Sequence, residues 1–253
     1  MNKQKTTKIN QLLNKIPNNT IFTSRWAKEN SFSEELLYAY KKSKWIKSVG
    51  TGAYTKLNDE YNMDGAIYAL QKQLNLSVHI GGVSALNEKH GLVHNIPFNR
   101  KIYLYTQRQE LLPKWFKTLF KDKYILIHTN FLPKDIGMEN NNNISYTTQI
   151  STKERAILEM LYLVPNKNTA NEAYQLMELL SILKIDLIQK LLEGTKSIKV
   201  KRLFLYMAEK INYPWFKKIN IKKIYLGSGK KVIVKGGKLD KKYNIVIDDV
   251  ENI

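Results

Sequence analysis

Apolar positions along the chain change period several times, and each change marks an element. Ile9, Leu12, Leu13 and Ile16 recur at helical spacing on one face of a first helix, which Pro17 ends. Thr23 predicts the cap of a short helix over Ser24–Glu29, broken by Asn30 and Ser31. A longer helix follows, running to about Ser43. Its start has two readings: a capping box of Ser31 and Glu34, or Ser33 as the cap with Phe32 and Leu37 as a hydrophobic staple. Either start turns Leu36, Leu37 and Tyr40 toward a core and leaves Ser33, Tyr38, Lys41 and Lys42 outward. The period then becomes that of a strand at Trp45-Ile46-Lys47. Val49-Gly50-Thr51-Gly52 is expected to supply a tight turn, using both glycines, that returns through Ala53-Tyr54-Thr55. Helix, turn, longer helix and glycine hairpin is the order of a winged helix-turn-helix, whose second helix enters the DNA major groove.

A helix over 63–74 carries Ile67, Leu70 and Leu74 on one side, and a domain boundary is expected near Asn75. Beyond it, Ser77-Val78-His79-Ile80-Gly81-Gly82 reads as a short strand and turn, and 83–90 as a helix with Gly91 as its C-cap. Strands are expected at 102–105, 124–127 and 144–148, with 140–143 a polar loop. A helix opens at Ser151 or Thr152 and runs to 163. The chain is then mostly helical to Pro214, with Val200, Leu203, Phe204, Met207 and Ile211 as an apolar stripe opposite Lys199, Arg202 and Lys210. From Lys222, short strands and glycine turns predict a β-meander. The expected fold is α+β: a winged helix-turn-helix over 1–75, then a larger mixed helical domain with short strands and a C-terminal β-meander over 76–253.

Length and composition suit this division. At 253 residues, 43% of them hydrophobic, the chain can bury one large core or two ordinary ones. It has no cysteine, so disulfides and thiolate zinc sites are excluded. The opening residues lack the apolar core of a signal peptide, and no window approaches a membrane span, so a soluble cytoplasmic protein with no membrane partner is expected.

The net charge of +19 changes the picture more, because it asks for an acidic partner. Part of it is background in a chain rich in Lys, Asn and Ile throughout. Its distribution is more telling: residues 194–242 hold fifteen basic and two acidic groups, far from the winged module. Two candidate sets follow. Ser33, Tyr38, Lys41 and Lys42 are placed to read the major groove, with Arg25, Lys28, Lys44, Lys47 and Lys56 on phosphates. Lys199, Arg202, Lys217, Lys218, Lys222 and Lys223 form a second basic face suited to an acidic or nucleic-acid partner.

Catalytic chemistry is hard to find. His90 and His94 have helical spacing, but Gly91 ends the helix between them and no acidic cluster joins them, so no metal site is expected. Gly227-Ser228-Gly229-Lys230 lacks the full spacing of a phosphate-binding loop and is not followed by a helix. No nucleophile elbow or close carboxylate pair stands in a plausible setting. No catalytic residue and no cofactor are expected. A repressor whose second domain senses a small ligand is the rival reading, and an RNA-acting enzyme is a third that rests only on the basic 194–242 region.

Several segments in order resemble the AbiEi antitoxins, transcriptional regulators paired with a nucleotidyltransferase toxin. Gly52-Ala53-Tyr54 is similar to the end of that family's wing, and His79-Ile80-Gly81-Gly82-Val83-Ser84-Ala85-Leu86, with Gly91 after it, to the start of its second domain. Leu112-Pro113-Lys114-Trp115 resembles its Leu-Pro-x-Trp element, and Ser151-Thr152-Lys153-Glu154-Arg155-Ala156-Ile157-Leu158-Glu159 its Ser-x-x-Glu-Arg-Ala-Ile-Leu-Glu helix start. The tail from Leu226-Gly227-Ser228-Gly229-Lys230-Lys231 to Gly236-Gly237-Lys238-Leu239-Asp240 and Tyr243 is similar to its closing strands. Glu154 and Arg155 look catalytic, but the residues themselves suggest a local pair beside packing Ala156, Ile157 and Leu158. The resemblance implies repression of the protein's own promoter through inverted repeats by the N-terminal domain. It also implies that the C-terminal domain counters the cognate toxin, by direct contact or otherwise.

Overall fold

A computed structural model of the protein describes residues 7–92 and 101–248; His94 lies outside them. Thr7 caps α1 (Lys8–Lys15). β1 (Phe22–Thr23) runs directly into α2 (Ser24–Glu29), where the Thr23 hydroxyl accepts the Trp26 N–H at 3.2 Å. α3 (Glu34–Lys42) starts from Ser33, whose hydroxyl accepts the Leu36 N–H at 3.3 Å. Of the two starts open in the sequence the staple is adopted, with Phe32 and Leu37 both in the core. α3 ends in a Schellman turn: Lys44 has a φ of 58°, its N–H donates to Lys41, and the Trp45 N–H donates to Tyr40. This turn decides which side chain of the next strand points inward. Ile46 is buried, and Trp45 before it is 48% exposed.

β2 (Ile46–Gly50) and β3 (Ala53–Lys56) make the hairpin, and β1 adds to give the antiparallel order β1-β3-β2. Only Gly52 serves the turn conformationally, with a φ of 70°. Gly50 serves packing: a Cβ there would stand 2.7 Å from the Trp115 Cβ. α4 (Met63–Tyr68) is capped by Asn62 and passes into a π-helical turn, Ala69–Gln73. The extra residue in that turn directs Gln73 inward, where it accepts the Thr23 N–H at 2.8 Å and donates to the Ile21 carbonyl at 3.2 Å.

The chain continues through β4 (His79–Ile80), α5 (Gly82–Glu88), β5 (Ile102–Thr106), α6 (Lys114–Leu119), β6 (Tyr124–His128), β7 (Met138–Asn142) and β8 (Thr147–Ser151). Residues 140–142 belong to β7, not to the expected polar loop: a run of asparagines is tolerated because the strand is largely solvent-facing. α7 (Lys153–Tyr162), α8 (Ala170–Glu178), α9 (Ile185–Gly194) and α10 (Ile198–Ile211) follow. Two 3-10 turns precede β9 (Lys231–Val232), β10 (Lys238–Asp240) and β11 (Ile245–Ile247). These strands do not form the expected meander. Their order is β10-β11-β9 and the β11–β9 pair is parallel, because the glycine turn after β9 leads to the far side of β11 instead of back along β9. The protein is thus α+β, with ten α-helices and three sheets among the described residues.

Two compact units divide the chain, and neither is continuous in sequence. One comprises 1–79, 106–128 and 140–149; the other comprises 80–105, 129–139 and 150–253. The first has a core of Leu12, Ile16, Phe22, Ala27, Phe32, Leu37 and Ile46, with Ile9, Trp26, Tyr40 and Tyr54 at its margin. In the second, Val200, Leu203, Phe204 and Met207 of α10 are buried as the stripe predicts. So are Lys201, Arg202, Leu205, Tyr206 and Ala208, which makes α10 a central helix enclosed on all sides.

The Gly50–Trp115 contact makes a clear test. Gly50→Ala places its new methyl against the Trp115 Cβ and backbone, atoms that move only with α6, so a loss of about 1–3 kcal/mol is expected. A fall in the midpoint of thermal unfolding measures it, and an unchanged midpoint refutes the tight contact.

Candidate nucleic-acid interface

The outward face of α3 carries Tyr38, 64% exposed, with the Lys41 Nζ 5.7 Å from the centroid of its ring. Lys41 and Lys42 project from the last turn, Lys44 from the Schellman turn and Lys28 from α2, all exposed. Lys44 occupies a left-handed position that glycine fills more easily, at a cost of about 1 kcal/mol. Beside α3 and the hairpin turn lies an open cleft of about 630 Å3, lined by Ser24, Glu34, Tyr38, Lys41, Thr51 and Gly52 among others.

The remaining residues of the predicted set already have partners. The Ser33 hydroxyl is the α3 cap. It also holds the Glu35 carboxyl below the usual carboxylate range, with the Glu35 N–H adding to the effect. Arg25 Nε pairs with Glu29 at 2.9 Å, both exposed, a contact that water and salt readily replace. Lys47 Nζ donates to the Asp59 carbonyl at 3.0 Å. Lys56 Nζ donates to Asn18 at 2.6 Å, and partial burial lowers its pKa against the opposing pull of Asp59. Glu34 and Glu35, in the first turn of α3, were not among the predicted residues because that reading followed cations. They suit the positive end of the helix dipole, as Lys41 and Lys42 suit the other end. The helix therefore presents an acidic first turn and a basic last turn. The basic end can donate to acceptors on base edges, and the carboxylates can accept hydrogen bonds from base amino groups.

The second predicted basic face is not a single face. Arg202 is 2% exposed: its Nε donates to Leu226, and its two terminal nitrogens to the carbonyls of Gly227, Gly229 and Asn244, at 2.7–3.0 Å. Lys199 Nζ donates to the Tyr162 and Val164 carbonyls at 2.7 and 2.5 Å, and burial lowers its pKa. Both were expected on a solvated side because the apolar stripe of α10 marks only its opposite side. Here the second side is covered as well, by main chain whose carbonyls need donors. Lys217, Lys218, Lys222 and Lys223 do lie exposed, on the two 3-10 turns.

Comparison of the sequence with known families decides what the chain is. Residues 5–98 match the family described as "Transcriptional regulator, AbiEi antitoxin N-terminal domain", and residues 99–248 match "Transcriptional regulator, AbiEi antitoxin, Type IV TA system". The chain belongs to the AbiEi antitoxin family. Among curated protein sequences there is no significant match. Among solved structures, the crystal structure of the RV2827C protein from Mycobacterium tuberculosis superposes with a TM-score of 0.58 at 11% identity, covering 96% of this chain and 90% of that one. At that identity the likeness is one of fold. No helix among the described residues of this AbiEi antitoxin is long and apolar enough to cross a membrane, and no group of three or more His, Cys, Asp or Glu among them could hold a metal ion.

Two of the segments that carry the AbiEi resemblance meet at a buried carboxylate. Glu159, fully buried in α7, accepts from the Gly82 N–H at 3.0 Å, the Ser151 hydroxyl at 2.8 Å and Arg155 Nε at 2.7 Å. Tyr105 donates its hydroxyl to the Glu159 carbonyl at 3.0 Å, and burial drives its pKa well above that of a free phenol. A side chain at Gly81 would collide with the carboxylate, and Gly82 has a φ of 54°. Arg155 does not pair with Glu154 as the sequence suggested. It lies one turn from Glu159 and also donates to the Pro133 and Ile136 carbonyls, while Glu154 accepts the Lys184 N–H at 2.8 Å. These contacts tie α7 to the start of α5, the end of β8 and the 133–136 segment of the same unit.

Arg202→Met removes a guanidinium that serves four main-chain carbonyls, and a loss of about 3–5 kcal/mol is expected. Hydrogen exchange should rise first in the 226–247 segment. Equal exchange there in both proteins would show that Arg202 does not hold it.

Proposed function

We propose that this protein is a DNA-binding antitoxin. In this reading α1, α2, α3 and the β2–β3 hairpin make a winged helix-turn-helix, and α3 enters the major groove. The chain represses its own promoter through inverted repeats, the second unit counters a nucleotidyltransferase toxin, and no catalysis is its own. The observation that carries the DNA-binding part is the exposed row on and beside α3 of Tyr38, Lys41, Lys42 and Lys44, next to a hairpin that adds no acidic residue. Membership of the AbiEi family supports the regulatory and antitoxin parts.

Within the proposal, Lys41, Lys42 and Tyr38 reach bases and Lys28 and Lys44 reach phosphates. Arg25 exchanges Glu29 for a phosphate when DNA arrives. Lys47 and Lys56, tied to Asp59 and Asn18, contribute through the shape of the hairpin.

The test is affinity for the native promoter duplex and for a random duplex across a salt series. About three phosphate contacts per module give a log–log slope of about −3. Lys41→Ala is expected to weaken promoter binding about tenfold and random binding less; Lys28→Ala weakens both alike; Lys56→Ala changes either little. If Lys41→Ala and Lys28→Ala leave both affinities unchanged, α3 does not face DNA. For the antitoxin part, growth of cells expressing the paired toxin is expected to recover with the full chain and to fail without it.

A further inference from the structure

The C-terminal sheet has two unlike faces. Ile245 and Ile247 of β11 and the adjacent Ile233 are buried in the second unit. Val246, between those two isoleucines, points the other way. Its register partners are Leu239 on β10 and Val232 on β9, so the three side chains stand in one row across the sheet. Val232 is 58% and Leu239 48% exposed. Strands are about 4.8 Å apart, so the row spans about 10 Å, the length of two helical turns. Lys230, Lys235, Lys241 and Lys242, in the turns that flank these strands, are all exposed, while Lys231 and Lys238, register partners of Ile245 and Ile247, stand on the other side of the sheet; the one carboxylate in the same stretch is Asp240. Asp240 is occupied by the Tyr243 N–H at 2.7 Å, and Lys242 reaches Glu209.

We infer that this face is a docking surface for an acidic amphipathic helix of a partner protein. Charge complementarity selects the occupant. The lysine rim attracts carboxylates and steers their approach, while the aliphatic row offers what a phosphate backbone cannot use and an apolar helix stripe can. A row of three side chains buries little area, so the contact is micromolar and reversible, with lysine charge setting the association rate and its salt dependence. In the antitoxin reading the helix belongs to the toxin. The docking inference stands apart from that reading and from α3.

The test uses the full chain with Val232→Thr and Leu239→Ser combined, changes at exposed positions that leave the buried face intact. The probe is a labelled 18-residue helical peptide with leucines at i, i+3, i+4 and i+7 and glutamates elsewhere. Controls are a scrambled peptide of the same composition, a 20-base-pair duplex and phosphatidylserine vesicles. The expected result is micromolar binding of the amphipathic peptide, at least tenfold weaker for the scramble and for the double variant, with duplex binding unchanged. Equal binding of the scramble, survival of binding in the double variant, or a loss of duplex or vesicle binding in that variant each overturns the inference. In cells, the double variant is expected to lose protection against the toxin while still repressing a promoter reporter. If the wild-type chain itself does not protect, the antitoxin reading fails and the peptide measurement alone decides the docking surface.

Discussion

A carboxylate without solvent is the constraint around which the second unit is built. An unpaired buried carboxylate costs several kcal/mol, and Glu159 avoids that cost with donors from different parts of the chain converging on it, among them Gly82, Ser151 and Arg155. Each donor fixes something else. The Gly82 N–H can reach it only if the backbone approaches without side chains, which requires the glycine pair at the start of α5. The Ser151 hydroxyl ties the last residue of β8 to the middle of α7, whose cap is the neighbouring Thr152. Arg155 brings a second charge that must itself be satisfied, and it is, by the carbonyls of Pro133 and Ile136. One carboxyl group thus holds in register a turn, a strand end, a helix and a connecting segment.

Much of the first unit was legible because its signals are local. Thr23 and Ser33 cap the helices they precede, and Phe32 with Leu37 marks the true start of α3. What could not be read there depends on partners distant in sequence or on backbone turns. Trp45 points out because of the left-handed turn before it, which falls on a lysine and so carries no glycine signal. Gly50 looked like a turn residue, yet its partner is Trp115, far along the chain. Gln73 had no visible role, since only a π-helical turn directs it to Thr23 and Ile21.

Charge was the least faithful guide. A lysine or arginine counts the same in a net charge whether it faces water or holds main chain. Lys199, Lys201 and Arg202 are consecutive or nearly so on α10 and none is available as a surface cation. The sequence showed the apolar side of that helix but had no signal for the carbonyls of 226–244 that cover the other. The exposed charge of the C-terminal region lies instead on the 3-10 turns and around the final sheet, where short polar strands gave little periodicity to read. At α3 the error ran the other way, because attention to cations passed over two glutamates in the first turn.

The contact between Gly50 and Trp115 has a consequence for the order in which the protein comes into being. The hairpin is complete in sequence by Lys56, yet the helix it packs on is made some sixty residues later, and Gln71 of the same unit exchanges hydrogen bonds with Gln149 later still. Closing such long loops comes after local helices form, so the first unit of a growing chain has its helices early and its supports late. Ribosomal synthesis therefore releases the surface of α3 in finished form only after β5 of the second unit has also been made, and before its helices α7 to α10. A chain cut short before β8 carries the helix that faces outward without the scaffold that holds it still.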